Sequence, residues 1–154
     1  MTPEQKKQRY ERIAAQLKDF FKITPDPISR MATAAALLSH KMDHFYWVGF
    51  YRLIDGQLLV GPYQGSLACQ KLAANTGVCW ACVQIGQGLV VPDVRQFAGH
   101  IACDARSRSE VVVPCLDKEG HIAAVLDADS DKVLAFDTLD AEGLLLIADM
   151  IYAA

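Results

Sequence analysis

Two pairs of short β-type segments constrain the fold of this chain more than any other feature. In the first pair, FYWVGFYRL (Phe45–Leu53) and QLLVG, an Asp-Gly dipeptide directly precedes the second segment. The second pair, Glu110–Leu116 and His121–Ala128, is joined by Asp-Lys-Glu-Gly. Short turns of this composition connect antiparallel neighbours. The sequence therefore predicts a sheet that contains two antiparallel hairpins.

Helical patterns precede the first hairpin. Thr2-Pro3 and Asp26-Pro27 are both helix-start signals, with a capping residue followed by proline at the first helical position. Apolar residues recur at helical spacing after each signal. We therefore expect N-terminal helices over about residues 3–43 that pack on the sheet.

The region between the hairpins is irregular, and a last helix follows the second hairpin. Residues 62–109 show no long periodic element, although Ser66–Ala74 could hold a helical turn or two and GLVVPDV a short strand. Asp137 is the expected cap of the last helix. This order predicts one α+β domain over residues 1–154, with an antiparallel sheet flanked by helices. Loops as long as the middle region usually carry function.

Composition excludes several classes of protein. The chain has 154 residues, of which 52% are hydrophobic and 21% charged, as in a globular domain. A formal charge of -3 argues against partners such as nucleic acid or an anionic membrane. No stretch approaches the roughly 18 apolar residues of a membrane span, and the N-terminus does not resemble a signal peptide. We therefore expect a cytoplasmic protein.

The cysteines are unusual in number and position. Five are present, and four of them lie in the irregular middle region: Cys69, Cys79, Cys82 and Cys103. Cys115 lies in an apolar strand, where a small buried side chain is the simplest interpretation. In a reducing compartment such a set indicates redox chemistry or metal binding before structural disulfides.

Zinc and thiol chemistry compete for Cys103. Cys79-x2-Cys82 and His100-x2-Cys103 are separated by 17 residues, a spacing that fits a structural zinc site with three cysteines and one histidine. A domain of this size needs no metal for stability, however, and neither pair has the glycine that follows zinc knuckles. Alternatively, Cys103 is a reactive thiol whose pKa the neighbouring histidine and the arginines at 106 and 108 would lower.

Three carboxylates and two aromatic residues complete the candidate site. Asp127 and Asp129 are two apart on a predicted strand, so their side chains leave the same face, and Glu110 opens the neighbouring strand. Clustered carboxylic acids raise one another's pKa, so that one can act as a proton donor. Trp47 and Tyr51 share a face and could line a small pocket, although core packing is the commoner fate of such aromatics.

Five motifs occur in order: GPYQGSLACQ, GVC, VPDVRQFAGHIACD, SRSEVVVP and AAVLDADS. Together they resemble the free methionine-(R)-sulfoxide reductases, enzymes built on a single GAF domain. The resemblance extends from about Trp47 to the C-terminal helix. It implies a GAF-like antiparallel sheet flanked by helices, and reduction of free methionine-(R)-sulfoxide to methionine.

The resemblance also implies roles for individual residues. Cys103 matches the catalytic cysteine of the family, Cys69 the resolving cysteine and Cys79 an auxiliary thiol. The residues that match the substrate-holding and proton-supplying carboxylates are Glu110, Asp127 and Asp129. Those that match the pocket aromatics are Trp47 and Tyr51. In the implied cycle Cys103 becomes a sulfenic acid and condenses with Cys69 to a disulfide, and a thioredoxin-type dithiol restores both thiols. No cofactor or metal is needed.

The sequence departs from the family pattern at one informative place. The family usually reads GVCG at the auxiliary cysteine, but Trp80 replaces the last glycine here and Cys82 creates a CxxC pair. If that glycine needs φ > 0, tryptophan would be strained or the loop would rearrange. The CxxC pair could form its own disulfide, help to recycle Cys103 or be inert.

Two other functions and one assembly stay open from the sequence. A GAF module could bind a small molecule without turnover, or the zinc site could simply stabilise the domain. The amphipathic first helix could also pack against a second copy of the chain, so a homodimer would be unsurprising.

Overall fold

The computed structural model describes residues 1–99 and 105–154. Its helices and strands follow the predicted order. Between the two hairpins lie the predicted short strand and one helix that was not predicted. In chain order the helices and strands are α1 (Pro3–Phe20), α2 (Pro27–Lys41), β1 (Trp47–Ile54), β2 (Gln57–Gln64), α3 (Gly77–Ile85), β3 (Leu89–Val91), β4 (Ser109–Leu116), β5 (Ile122–Ser130) and α4 (Thr138–Ile151).

The helix-start signals act as expected. The Thr2 side chain accepts a hydrogen bond from the backbone N–H of Gln5, whose side chain accepts one from the Thr2 N–H. The Asp26 carboxylate accepts hydrogen bonds from Ser29, and Asp137 caps the last helix. Each cap satisfies N–H groups that have no partner inside the helix.

The strands form one antiparallel sheet in the order β2-β1-β5-β4-β3. Both predicted hairpins are present, and β1 lies against β5, which brings the two hairpins together. The predicted α+β class is confirmed. Because side chains alternate along each strand, the sheet has two distinct faces.

One face of the sheet is covered by α2 and α4, and α1 packs mainly against α4. The main core lies there and includes Leu17, Met31, Phe50, Leu126 and Ile147, all fully buried. The apolar side of α1 is therefore occupied within its own chain. The amphipathic pattern of α1 is explained by this packing, so it gives no support for a second copy of the chain, and the homodimer stays a prediction.

A buried carboxylate ties these helices together. Asp140 on α4 accepts hydrogen bonds from Tyr10 Oη at 2.6 Å and Lys6 Nζ at 2.8 Å, and its Oδ1 lies 2.9 Å from His44 Nε2. Burial alone would raise the pKa of Asp140, but these hydrogen bonds hold it well below its ordinary value. This network fixes α1 and the segment before β1 against α4.

The middle region contains more regular structure than the sequence predicts. The expected helical turns at Ser66–Ala74 are wrong, because part of this segment pairs with β2 instead. Val60 N donates to Gln70 O at 2.9 Å, and Leu72 N donates to Leu58 O at 3.0 Å. The expected short strand is present as β3.

Helix α3 was not predicted. It ends at Ile85, and the following Gly86, with a φ of 78°, forms the left-handed cap typical of glycine. Trp80 lies inside this helix and does not have a positive φ. The expected backbone strain at Trp80 therefore does not arise. No helix among the described residues is long and apolar enough to cross a membrane.

Candidate active site

The three predicted carboxylates lie together on the face of the sheet opposite α1, α2 and α4. Glu110 on β4 is directly paired with Asp129 on β5, and Asp127 lies two residues before Asp129. Strand periodicity therefore brings the three side chains to one face. Glu110 and Asp127 are buried, and Asp129 is half-buried and accepts a hydrogen bond from Ser107 Oγ at 3.2 Å.

The two predicted aromatics form the adjoining wall. In the pairing of β1 with β5, Trp47 lies opposite Asp129. The Trp47 ring stacks with two tyrosines, and its centroid lies 5.9 Å from that of Tyr51 and 5.3 Å from that of Tyr63. Its indole N–H donates to the carbonyl oxygen of Ser66 at 3.1 Å. Strand β1 and the loop after β2 thus hold the indole in one orientation.

Helix α3 brings Cys79 to the carboxylates. The Cys79 Sγ, a Glu110 carboxylate oxygen and an Asp127 carboxylate oxygen all lie within 4.8 Å of one another. Burial, followed by the charges of Asp127, Glu110 and Asp129, raises the pKa of Cys79 well above its ordinary value. This environment keeps Cys79 as a thiol and is the opposite of what an attacking thiolate needs.

Asp127 has a strongly perturbed carboxyl group. Burial raises its pKa well above the ordinary value, and the charges of Asp129 and Glu110 act in the same direction. Its Oδ1 atom is buried and has no hydrogen-bond partner. An unsatisfied buried acceptor costs about 1–3 kcal/mol, and a bound cation would remove that cost.

A cavity of about 70 Å³ lies between these groups. Its lining combines the predicted residues with others from the loop after β2 and the start of α3. The lining residues are Tyr46, Trp47, Tyr51, Ser66, Leu67, Ala68, Leu72, Thr76, Gly77, Val78, Cys79, Ser107, Glu110, Asp127 and Asp129. The sequence did not single out Tyr46, Leu67, Thr76 or Ser107, although most of the missed residues lie within or beside the recognised motifs.

The N-terminus of α3 also faces the cavity. Gly77, Val78 and Cys79 form its first turn, and Thr76 makes no side-chain capping hydrogen bond to them. The first N–H groups of a helix lack partners within the helix and carry partial positive charge. The cavity therefore combines an acidic side, formed by the carboxylates, with an anion-attracting side.

The cysteines divide into different environments. Cys79, Cys82 and Cys115 are buried free thiols, and Cys69 is disulfide-bonded. The buried position of Cys115 within β4 agrees with its interpretation as a small core residue. The Cys79–Cys82 pair is not oxidised. The predicted nucleophile Cys103 and the predicted zinc ligand His100 lie outside the described residues.

Known proteins with the same fold and sequence features identify the family. No family model matches the chain. The free methionine-R-sulfoxide reductase of Escherichia coli is 41% identical over 117 residues, covering 76% of this chain and 70% of that protein. The chain belongs to the free methionine-(R)-sulfoxide reductase family. The resemblance of the five motifs to this family is therefore confirmed.

Solved structures agree with this family assignment. The free methionine-R-sulfoxide reductase of Neisseria meningitidis, in complex with its substrate, superposes with a TM-score of 0.86 at 36% identity, over 93% of this chain and 86% of that chain. A GAF domain structure superposes with a TM-score of 0.91 at 30% identity, over 96% of this chain and 87% of that chain. The GAF-like fold expected for a family member is thus present.

Proposed function

We propose that this protein reduces free methionine-(R)-sulfoxide to methionine, with Cys103 as the nucleophile. The observation that carries the proposal is a cavity in which three carboxylates, an aromatic wall and a helix N-terminus converge. A family relative at 41% identity bears this activity in its name.

The cavity offers a complementary group for each end of the free amino acid. The ammonium group would bind Glu110, Asp127 and Asp129, where the unpartnered Asp127 Oδ1 would accept one of its protons. The carboxylate would bind the first N–H groups of α3. The indole of Trp47 and the ring of Tyr51 would pack against the methyl end. A methionine within a peptide has neither charged end, so this arrangement favours the free amino acid.

The reaction consumes one thiol and leaves one sulfenic acid. The Cys103 thiolate attacks the electrophilic sulfoxide sulfur. At the same time the sulfoxide oxygen takes a proton from one of the three acidic residues, and Glu110 is the predicted proton donor. The oxygen then passes to Cys103, methionine leaves with its sulfur reduced, and Cys103 becomes a sulfenic acid. Burial and neighbouring charge raise the pKa of Asp127, which favours a protonated carboxyl group in this cluster.

The remaining steps restore the thiol. The sulfenic acid condenses with the thiol of Cys69, which releases water and forms a disulfide. A thioredoxin-type dithiol then reduces that disulfide by exchange. Cys79 would serve as an auxiliary thiol only, because its buried and acidic surroundings oppose thiolate formation.

A coupled assay tests this proposal. NADPH consumption with thioredoxin and thioredoxin reductase is followed with free L-methionine-(R)-sulfoxide and with its (S) epimer. Turnover of the (R) epimer alone is expected. If neither epimer is turned over although titratable thiols are present, the function is wrong, and tight binding of the amino acid without thiol consumption would identify a non-catalytic binding module.

A further inference from the structure

The cluster formed by Cys79, Glu110 and Asp127 has the composition of a metal site. Each residue offers one ligand atom, the three atoms lie within 4.8 Å of one another, and all three residues are buried. One sulfur and two carboxylate oxygens are ligands that zinc accepts. Three protein ligands leave the fourth tetrahedral position open, and all three residues line the cavity.

A second observation indicates that this cluster is built to receive a cation. Asp127 Oδ1 is buried without a hydrogen-bond partner. A buried carboxylate oxygen without a partner costs free energy, and a cation bound at Asp127 would remove that cost.

The cluster differs from the zinc site that the spacing of the cysteines suggests. That site would use Cys82 together with Cys79, His100 and Cys103. Cys82 is fully buried and packs in the apolar cluster beneath α3. Among the described residues, it does not join Cys79 in a group of three possible metal ligands that lie within 4.8 Å of one another. In the part of the chain that the structure describes, the possible metal ligands grouped with Cys79 are therefore the two carboxylates and not Cys82.

We propose that Cys79, Glu110 and Asp127 bind Zn²⁺ in the reduced protein, and that bound Zn²⁺ excludes the amino acid from the cavity. Binding transfers the thiol proton of Cys79 to solvent and involves no change of oxidation state. The ion would occupy the place of the substrate ammonium group, so Zn²⁺ would act as a competitive inhibitor. The predicted inhibition by Zn²⁺ rests on the proposed reductase function, whereas the predicted binding of Zn²⁺ does not.

Metal affinity is measured first on a Cys103→Ser background, which removes the nucleophile and one ligand of the alternative site. The protein is reduced with a phosphine, freed of metal and titrated with Zn²⁺ by calorimetry. Co²⁺ is used in parallel, because a thiolate-to-cobalt absorption band reports a sulfur ligand directly. We expect one equivalent of Zn²⁺ to bind and the Co²⁺ band to appear.

Variants then identify the ligands. Because loss of even an outer-shell partner typically costs about 10–100-fold in metal affinity, Cys79→Ser, Glu110→Gln and Asp127→Asn should each weaken Zn²⁺ binding by at least about that factor. Cys79→Ser should also abolish the Co²⁺ band. Cys82→Ala is the matched control, since it removes a buried thiol from the same helix, and it should retain the affinity. Circular dichroism checks that each variant is folded.

The outcomes are distinct. Absence of Zn²⁺ binding on the Cys103→Ser background, unchanged affinity in Cys79→Ser, or loss of affinity in Cys82→Ala would each overturn the inference. Added methionine, the reaction product, should weaken the apparent Zn²⁺ affinity in proportion to its occupancy. If Zn²⁺ and methionine bind together without mutual effect, the competition is wrong.

The enzymatic test is made in a single turnover, because zinc would also react with the thiols of a coupling system. Zn²⁺ should slow methionine formation by the pre-reduced wild-type protein, and excess substrate should relieve the inhibition. A protein that binds Zn²⁺ at these residues but does not reduce methionine-(R)-sulfoxide would disprove the proposed function alone. A reductase that does not bind Zn²⁺ would disprove this inference alone.

Discussion

Gly65 lies so close to the indole of Trp47 that a Cβ atom on Gly65 would sit 2.7 Å from Trp47 Cδ1. The same residue has a φ of 131°, which side-chain-bearing residues rarely adopt. Gly65 precedes Ser66, whose carbonyl oxygen accepts the Trp47 indole N–H. The loop that carries Cys69 therefore packs closely against the aromatic wall of the cavity at Gly65.

Gly65→Ala should disturb this fit and lower activity. Because a displacement of about 1 Å in a site can cost about 100-fold, we expect kcat/KM for methionine-(R)-sulfoxide to fall by at least about tenfold. Gly56→Ala is the control: Gly56 also has positive φ, at 75°, but nothing lies within 4 Å of its added Cβ. That variant should lose only about 1–2 kcal/mol of stability and keep its activity. Equal kcat/KM in both variants would show that the position of Trp47 is unimportant.

Asp127→Asn should weaken substrate binding. Loss of a charge-assisted hydrogen bond to the ammonium group costs about 1.5–3 kcal/mol, which corresponds to about 10–100-fold in kcat/KM. Steady-state kinetics measures the change, and Asp131→Asn, on an exposed residue just after β5, is the control. Full activity in Asp127→Asn would contradict the assignment of the cluster as the ammonium site.

The same substitution should change how stability depends on pH. Because the pKa of Asp127 is raised in the folded state, its proton stabilises the fold fully below about pH 3.9, the ordinary pKa in the unfolded chain. As pH rises from there toward the raised pKa, wild type should lose up to about 1.4 kcal/mol per pH unit relative to Asp127→Asn. Urea unfolding of both proteins across this range measures the difference. Parallel pH profiles would show that Asp127 titrates normally.

Three of the cysteines should have distinct roles: Cys103 reacts, Cys69 resolves and Cys82 is dispensable. Without a reductant, Cys69→Ser should form about one methionine per enzyme, because Cys103 can still be oxidised once to a sulfenic acid. Cys103→Ser should form none, because it lacks the attacking thiol. With thioredoxin, Cys69→Ser should lose most of its steady-state rate. Burial raises the pKa of Cys82 to about 12, so this thiol reacts slowly and Cys82→Ala should retain full turnover. A loss of turnover in Cys82→Ala would indicate that the CxxC pair takes part in recycling.

The Asp140 network should determine acid stability. Its hydrogen bonds hold the pKa of Asp140 low, so the stability they contribute is present above about pH 3.9 and is lost as pH falls toward the depressed value. Tyr10→Phe removes the 2.6 Å hydrogen bond to this buried carboxylate and should cost about 1.5–3 kcal/mol at neutral pH. Asp19→Asn, which removes the partner of the exposed Lys22, should leave urea unfolding unchanged. If both variants unfold alike, the network is not stabilising.

Local signals in the sequence were sufficient for most of the sheet and three of the helices. Thr2, Asp26 and Asp137 cap helices through short-range hydrogen bonds, so their neighbours alone predict their role. The shared face of Asp127 and Asp129 likewise follows from strand periodicity, independently of the rest of the fold.

Helix α3 could not be found in the same way. Its nine residues, GVCWACVQI, are mostly apolar and show little periodicity, because Val78, Cys79, Trp80 and Cys82 are all buried. The side chain of Thr76 gives no capping bond, and the one usable signal was Gly86 at the C-terminal end. The approach of Cys79 to Glu110 and Asp127 depends on this helix, so it became visible only in three dimensions.

The sheet separates the parts of the molecule that evolution can change independently. The helical core and the Asp140 network lie on one face, and the thiol, carboxylates and aromatic wall lie on the other. Substitutions at distant sites without shared partners usually have additive effects on stability. The helical face can therefore accumulate stabilising substitutions that offset the burial of acidic groups in the cavity, while substrate preference diverges on the opposite face.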